Sequence, residues 1–136
     1  FWKEFGMVMK EGVVEDLGET DCVGAYIEKA SCVVLPSYRE GTSRVLLEAA
    51  AMGRPIISTD VTGCREIVDH RENGFLCKSK SSSDLGEKMI EMALLPQNER
   101  EEMGRKGRQK VENEFDQEIV CQLYIDAIEG PGNRGN

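Results

Sequence analysis

Glu40 and Glu48 stand eight residues apart, with Gly41, Thr42 and Ser43 following the first of them. Each of these residue types has a use around an anionic, hydroxyl-rich ligand. A carboxylate accepts two hydrogen bonds, which matches adjacent hydroxyls on a sugar ring or a ribose. Glycine at 41 lets backbone approach a ligand with no side chain in the way, or takes a positive φ. Thr42 or Ser43 can cap a helix and leave its first amides facing outward, where they favour a negative group such as a diphosphate. The pattern predicts an anion site flanked by two hydroxyl-binding carboxylates, suited to a sugar–diphosphate–ribose ligand. The plain alternative is an exposed loop glutamate at 40 and a solvated helix residue at 48. Arg39 and Arg44 fit a phosphate contact and an ordinary surface charge equally well.

For such a site to exist, a strand must end just before it and a helix must begin within it. Cys32-Val33-Val34-Leu35 is a continuous apolar run stopped by Pro36, as in a parallel strand covered on both faces. Val45 to Met52 is rich in helix formers and is followed by Gly53 and then Pro55, a helix stop. Pro55 to Ser58 reads as the next strand, Cys64 to Val68 as a brief helix, Asn73-Gly74 as a turn and Phe75-Leu76-Cys77 as a third strand. Upstream, Val13-Val14 begins a strand, Gly18 to Asp21 forms a loop, and Val23, Tyr26, Ile27 and Ala30 recur at helical spacing. Downstream, Ser81, Ser82, Ser83 and Asp84 offer caps to a helix carrying Leu85, Met89, Met92 and Ala93, with both methionines expected in the core. Asn98 and Glu101 resemble a capping box, and Asp116 caps a last helix with an apolar face of Ile119, Val120, Leu123, Tyr124 and Ile128. The charged stretch from Glu99 to Glu118 reads as a solvated helical face.

This alternation predicts the α/β class, an open parallel Rossmann-like sheet with flanking helices. One domain spans residues 1–129, and the Gly- and Asn-rich stretch 130–136 forms a tail. Ligands of such sheets bind beyond the carboxyl ends of the strands, which is where residues 36–48 fall.

The bulk numbers remove other classes. A net charge of −8 argues against nucleic acid as a partner, which would need a clustered basic footprint. No apolar run approaches the roughly 20 residues needed to cross a bilayer. Five cysteines without a CxxC pair suggest reduced thiols, buried where they lie in apolar segments, in a cytosolic protein. With His70 as the single histidine, neither a zinc site nor a His-dependent triad is expected. No G-x-G-x-x-G follows a strand and no Walker-type Gly-Lys-Ser/Thr is present, which disfavours a dehydrogenase or P-loop enzyme.

The segment Pro36 to Glu48, with its E-x7-E spacing, resembles the signature of the group 1 retaining GT-B glycosyltransferases. The likeness continues through Leu47 to Ile57, Asp60 to Val68 and Asn73 to Leu76, and so covers most of residues 13–128. Tyr38-Arg39-Glu40-Gly41 and Thr62-Gly63-Cys64-Arg65-Glu66 are similar to members that transfer N-acetylhexosamines to polyprenyl-diphosphate-linked sugars. The resemblance implies the C-terminal, donor-binding domain of a GT-B fold, truncated at its N-terminus.

It also implies a role for each matching residue. Glu40 is the catalytic-site carboxylate near the anomeric centre of the transferred sugar. Backbone amides of Gly41, Thr42 and Ser43 line that sugar, those of Arg44 and Val45 the diphosphate, and Glu48 holds the ribose hydroxyls. Gly63 lines the diphosphate, against a bland role as a tight turn, while Glu66 reads as a capping or surface residue. Thr42-Ser43 stands where many relatives carry an aromatic residue and a second glycine, which leaves the sugar open.

The implied reaction retains anomeric configuration and needs no metal or cofactor. The donor, UDP-N-acetylhexosamine, is a substrate, and the acceptor is a glycan or lipid-linked sugar. Helix amides and basic side chains stabilise the leaving diphosphate. The chain opens at Phe1-Trp2 without methionine, which reads as a cut inside a longer protein. A basic pair and an N-terminal acceptor-binding domain are then expected upstream of Phe1, and the fragment alone is expected to be inactive. Membrane contact would come only through that absent domain. The expected location is cytoplasmic, at the inner membrane face in the full-length protein. Apolar surface left uncovered would favour self-association. The competing reading is a non-catalytic α/β interaction module, against which the retention of Glu40 and Glu48 around Gly41 speaks.

Overall fold

Strands β1 (Val33–Leu35), β2 (Ile56–Thr59) and β3 (Gly74–Cys77) pair in parallel in the order β1-β2-β3. Val33 lies opposite Ile56, and Ile56 opposite Gly74. The computed structural model describes residues 12–20, 22–37, 43–115 and 117–129. Within them the helices are α1 (Val23–Lys29), α2 (Arg44–Ala51), α3 (Thr62–Arg65), α4 (Ser82–Leu94), α5 (Gln97–Glu114) and α6 (Gln117–Glu129). Parallel neighbours need a crossover, and α2 supplies one between β1 and β2, α3 one between β2 and β3. The α/β class and the parallel sheet stand as the alternation of apolar runs predicts.

The central strand is buried along its whole length. Successive strand residues point to opposite faces, so Ile56 and Ile57 seed two cores. Ile56 packs with Leu46, Ala50, Ile67, Val68 and Val111, and Ile57 with Phe75, Met92 and Met103. Helix α2 is buried from Leu46 to Ala51, and its three consecutive alanines let α5 and α6 approach closely. It stops at Gly53, whose φ of +73° is the left-handed conformation that glycine adopts without strain. Gly104 of α5 presses against this turn, because a Cβ there would lie 1.9 Å from the Gly53 carbonyl oxygen.

Several local expectations need correction. Residues 13 and 14 form no strand, and Val13 is exposed, with no sheet partner among the described residues to bury it. The brief helix runs from Thr62 to Arg65, ending earlier than expected because Ile67 and Val68 turn into the core. Asn98 caps nothing: α5 starts at Gln97 after Pro96, whose carbonyl takes the Glu99 and Arg100 amides, and the Glu101 carboxylate accepts from Gln97 instead. Met92 is core but Met89 is half-exposed, because the covered stripe of α4 runs through Leu85, Lys88 and Met92 and Met89 lies at its margin. Val120 is buried whereas Ile119 is exposed. Asp116 and the side chains of Leu123, Tyr124 and Ile128 lie outside the described residues. The five cysteines are all free; Cys64 and Cys77 are buried, Cys32 is partly so, and Cys22 and Cys121 are exposed. Burial pushes the Cys32 thiol up to about 11. The solvated charged face is present as read, with Arg105–Glu102, Arg108–Glu112 and Lys110–Glu114 pairs along α5.

Asn73-Gly74 is more than a turn. Asn73 is only 2% exposed; its Oδ1 accepts from the Asp69 amide at 2.7 Å and its Nδ2 donates to the Ile67 carbonyl at 2.9 Å. Gly74 opens β3 so close to β2 that a Cβ would lie 2.0 Å from the Ile56 carbonyl oxygen. Asn73→Ala is expected to cost about 2 kcal/mol by leaving buried backbone groups unpaired, measurable by urea denaturation.

His70 has a structural use. Its Nδ1 accepts from the Leu76 amide at 2.9 Å, which requires an unprotonated nitrogen, and its ring meets Phe75 edge-on. Partial burial, then the nearby Arg71 and Lys88 charges, hold the imidazole below its ordinary value of 6.5. Above that value the ring is neutral in both states, so stability is complete there. As pH falls, the unfolded chain protonates first, and stability drains from about 6.5 downward until the folded ring titrates. Melting temperature should therefore fall between about pH 7.5 and about pH 5.5, and fall less in His70→Asn, which keeps an acceptor that does not titrate.

Candidate functional site at the carboxyl edge of the sheet

The three strands release their chains at one edge. There, a cleft of about 450 Å3 is lined by Ser37 after β1, Thr59 at the end of β2, and Lys78, Lys80 and Ser81 after β3. Two hydrogen bonds tie the exit of β1 to β2: the Ser37 amide donates to Thr59 Oγ1 at 2.7 Å, and Ser58 Oγ donates to the Leu35 carbonyl at 2.8 Å. They fix where the chain leaves the sheet toward residues 38–42. Glu40, Gly41 and Thr42 lie outside the described residues, as does Arg39.

The chain re-enters the description at Ser43, which is buried and caps α2. Its Oγ accepts from the Leu46 amide at 3.3 Å and its carbonyl from the Leu47 amide at 3.0 Å. Ser43 therefore fills the cap position, and Thr42 lies outside the described residues. The amides of Arg44 and Val45 come first in the helix, and among the described residues they have no acceptor. A free pair of amides at the positive end of a helix is a ready seat for an anion.

Glu48 sits in the second turn of α2 and is 9% exposed, so it is not a solvated helix residue. Its Oε1 accepts from Arg44 Nε at 3.1 Å. Arg44 Nη2 reaches Asp126 Oδ2 on α6 at 2.8 Å, and Gln122 Nε2 donates to Asp126 Oδ1 at 2.9 Å. Asp126 is itself buried, at 7% exposure. The Arg44 side chain, which is exposed, thus pairs with two carboxylates. The Glu48 hydrogen bond first, aided by the Asp126 charge, holds its guanidinium more firmly protonated than usual.

Gly63 is buried in α3, just past the carboxyl end of β2, while Glu66 at its end is exposed. Arg65 pairs with Asp60 rather than facing a ligand alone. Lys78, Lys80 and Asp126 are the residues that reading the sequence missed. The lysines could have been found from their place directly after a strand. Asp126 carried no signal, because it lies 82 positions from its partner. No helix among the described residues is long and apolar enough to cross a membrane.

The family model of glycosyl transferases group 1 matches residues 11–110. The N,N′-diacetylbacillosaminyl-diphospho-undecaprenol alpha-1,3-N-acetylgalactosaminyltransferase of Campylobacter jejuni is 31% identical over 117 residues, covering 86% of this chain and 31% of that protein. The N-acetyl-alpha-D-glucosaminyl L-malate synthase of Bacillus anthracis is 31% identical over 121 residues, covering 86% of this chain and 32% of its own length. The chain therefore spans about a third of the length of these relatives. The crystal structure of HepE from Anabaena in complex with UDP shares the fold, with a TM-score of 0.73 and 22% identity over 95% of this chain and 36% of that one.

Proposed function

The chain belongs to the group 1 glycosyl transferases, with the α/β architecture of their GT-B structures, and from that premise we propose that it forms the donor-binding side of a retaining hexosyltransferase. The donor is a nucleoside-diphosphate sugar, and UDP-N-acetylhexosamine is the one we favour. Two relatives named for N-acetylgalactosaminyl and N-acetylglucosaminyl products support that sugar, and the UDP-bound HepE structure supports the nucleotide.

The observation that carries the reading is the buried Glu48 one turn below two amides that have no acceptor among the described residues, at the carboxyl edge of a parallel sheet. In this arrangement the Arg44 and Val45 amides take the diphosphate and the Glu48 carboxylate takes the ribose hydroxyls. Gly41, Thr42 and Ser43 line the transferred sugar, with Glu40 at its anomeric side and Gly63 bordering the diphosphate. Fixed amides stabilise charge on the leaving diphosphate without reorganising, which favours departure while the acceptor attacks from the same face. Lys78 and Lys80 add positive charge along the cleft. The acceptor, a glycan or lipid-linked sugar, is held by a further domain, and no metal takes part.

Calorimetric titration with UDP and with UDP-N-acetylhexosamine tests the donor. Saturable binding of both, tighter for the sugar nucleotide, is the expected result. A folded whole protein that binds neither would leave the interaction-module reading in its place. Product analysis by NMR, with the transferred sugar keeping its anomeric configuration, tests the stereochemistry; inversion would overturn that part.

A further inference from the structure

The Arg44 guanidinium is shared in an unusual way. An arginine beside a carboxylate tends to close on both of its oxygens with two parallel N–H donors. Here it engages Glu48 through Nε and Oε1 at 3.1 Å, while Nη2 points to Asp126 Oδ2 at 2.8 Å. The two carboxyl side chains are 11% and 6% exposed while that of Arg44 is 56% exposed, so two buried carboxylates hold an outward-lying guanidinium between them. Gln122, one turn before Asp126 on α6, holds the other Asp126 oxygen and braces it against rotation. Helix α6 packs directly on α2, so the brace and the glutamate belong to one packed unit.

We infer that Asp126 is a positioning residue of the donor site: by drawing Arg44 Nη2 toward α6 it prevents the guanidinium from closing on both Glu48 oxygens, which keeps the carboxylate open to two ribose hydroxyls. The inference rests on the reading that Glu48 holds the ribose. Without the Asp126 charge, Nη2 turns back to Glu48 and competes with the ribose for the same lone pairs. In this role Asp126 touches no ligand itself and acts on Glu48 through Arg44.

The test compares the affinities of the whole protein for UDP and for 2′-deoxy-UDP, with melting temperature followed in parallel. A merely structural role for Asp126 would weaken both nucleotides alike and leave their ratio untouched. Asp126→Asn is expected to lower the preference for UDP about tenfold, as Glu48→Gln does, and Asp126→Glu is expected to restore part of it. Should asparagine at 126 prevent folding, Asp126→Ser gives the same readout, because it too removes the charge that draws Nη2 toward α6. A ratio that collapses in Glu48→Gln but persists in Asp126→Asn or Asp126→Ser overturns the inference and spares the donor-site reading. A ratio that persists even in Glu48→Gln overturns both.

Discussion

Glu48→Ala is expected to weaken UDP binding about a hundredfold while leaving the protein folded. Hydrogen bonds to a charged acceptor are worth about 1.5–3 kcal/mol each, and two hydroxyls lost together amount to about 3 kcal/mol, or about a hundredfold in affinity. Truncating a buried carboxylate normally destabilises by leaving its cation unpaired. Here that penalty is reduced, because Arg44 retains Asp126 at 2.8 Å. Removing Glu48 leaves the exposed Arg44 guanidinium with its Asp126 ion pair. The remaining cost is the lost packing of its methylenes, about 1 kcal/mol. Calorimetric titration beside a thermal melt checks both halves. Unaltered UDP affinity in a folded variant would place the ribose elsewhere.

Gly104→Ala is expected to destabilise the protein by about 2 kcal/mol or more, although alanine is the better helix former by about 1 kcal/mol. The new methyl would lie 1.9 Å from the Gly53 oxygen and 2.7 Å from its carbonyl carbon, both backbone atoms. Gly53 cannot yield easily, since it terminates α2 in the left-handed region. Helix α5 would have to lift from the end of α2, opening the core that Val111 shares with Ala50 and Ile56. Gly86→Ala in α4 is the matched control. Nothing lies within 4 Å of its added methyl, so it should be neutral or gain up to about 1 kcal/mol. Denaturant midpoints of the two variants should therefore move in opposite directions. Equal shifts would mean that the α2–α5 contact is looser than described.

The elements were legible wherever local chemistry decides them. The run Val33–Leu35 before Pro36, the alanine-rich stretch before Gly53 and the serines before Leu85 each carry their own start or stop signal, and each became the expected strand or helix. Asn98 misled because Pro96 set the start of α5 first, and Pro needs no capped amide. Val13 and Val14 misled because a strand exists only with a partner, and β propensity does not supply one. Met89 misled because a residue three positions from a core methionine shares its side of the helix but can sit at the margin of a narrow covered stripe.

The sequence by itself determined the class of fold and the strand and helix that flank the candidate site, because helix and strand periods and caps act within a few residues. Tertiary structure alone decided that Glu48 is buried, that Asp126 shares its arginine across 82 positions, and that Gly104 and Asn73 hold neighbouring segments at backbone distance. Such contacts depend on which elements the folded core brings together, and residue spacing along the chain carries no record of that.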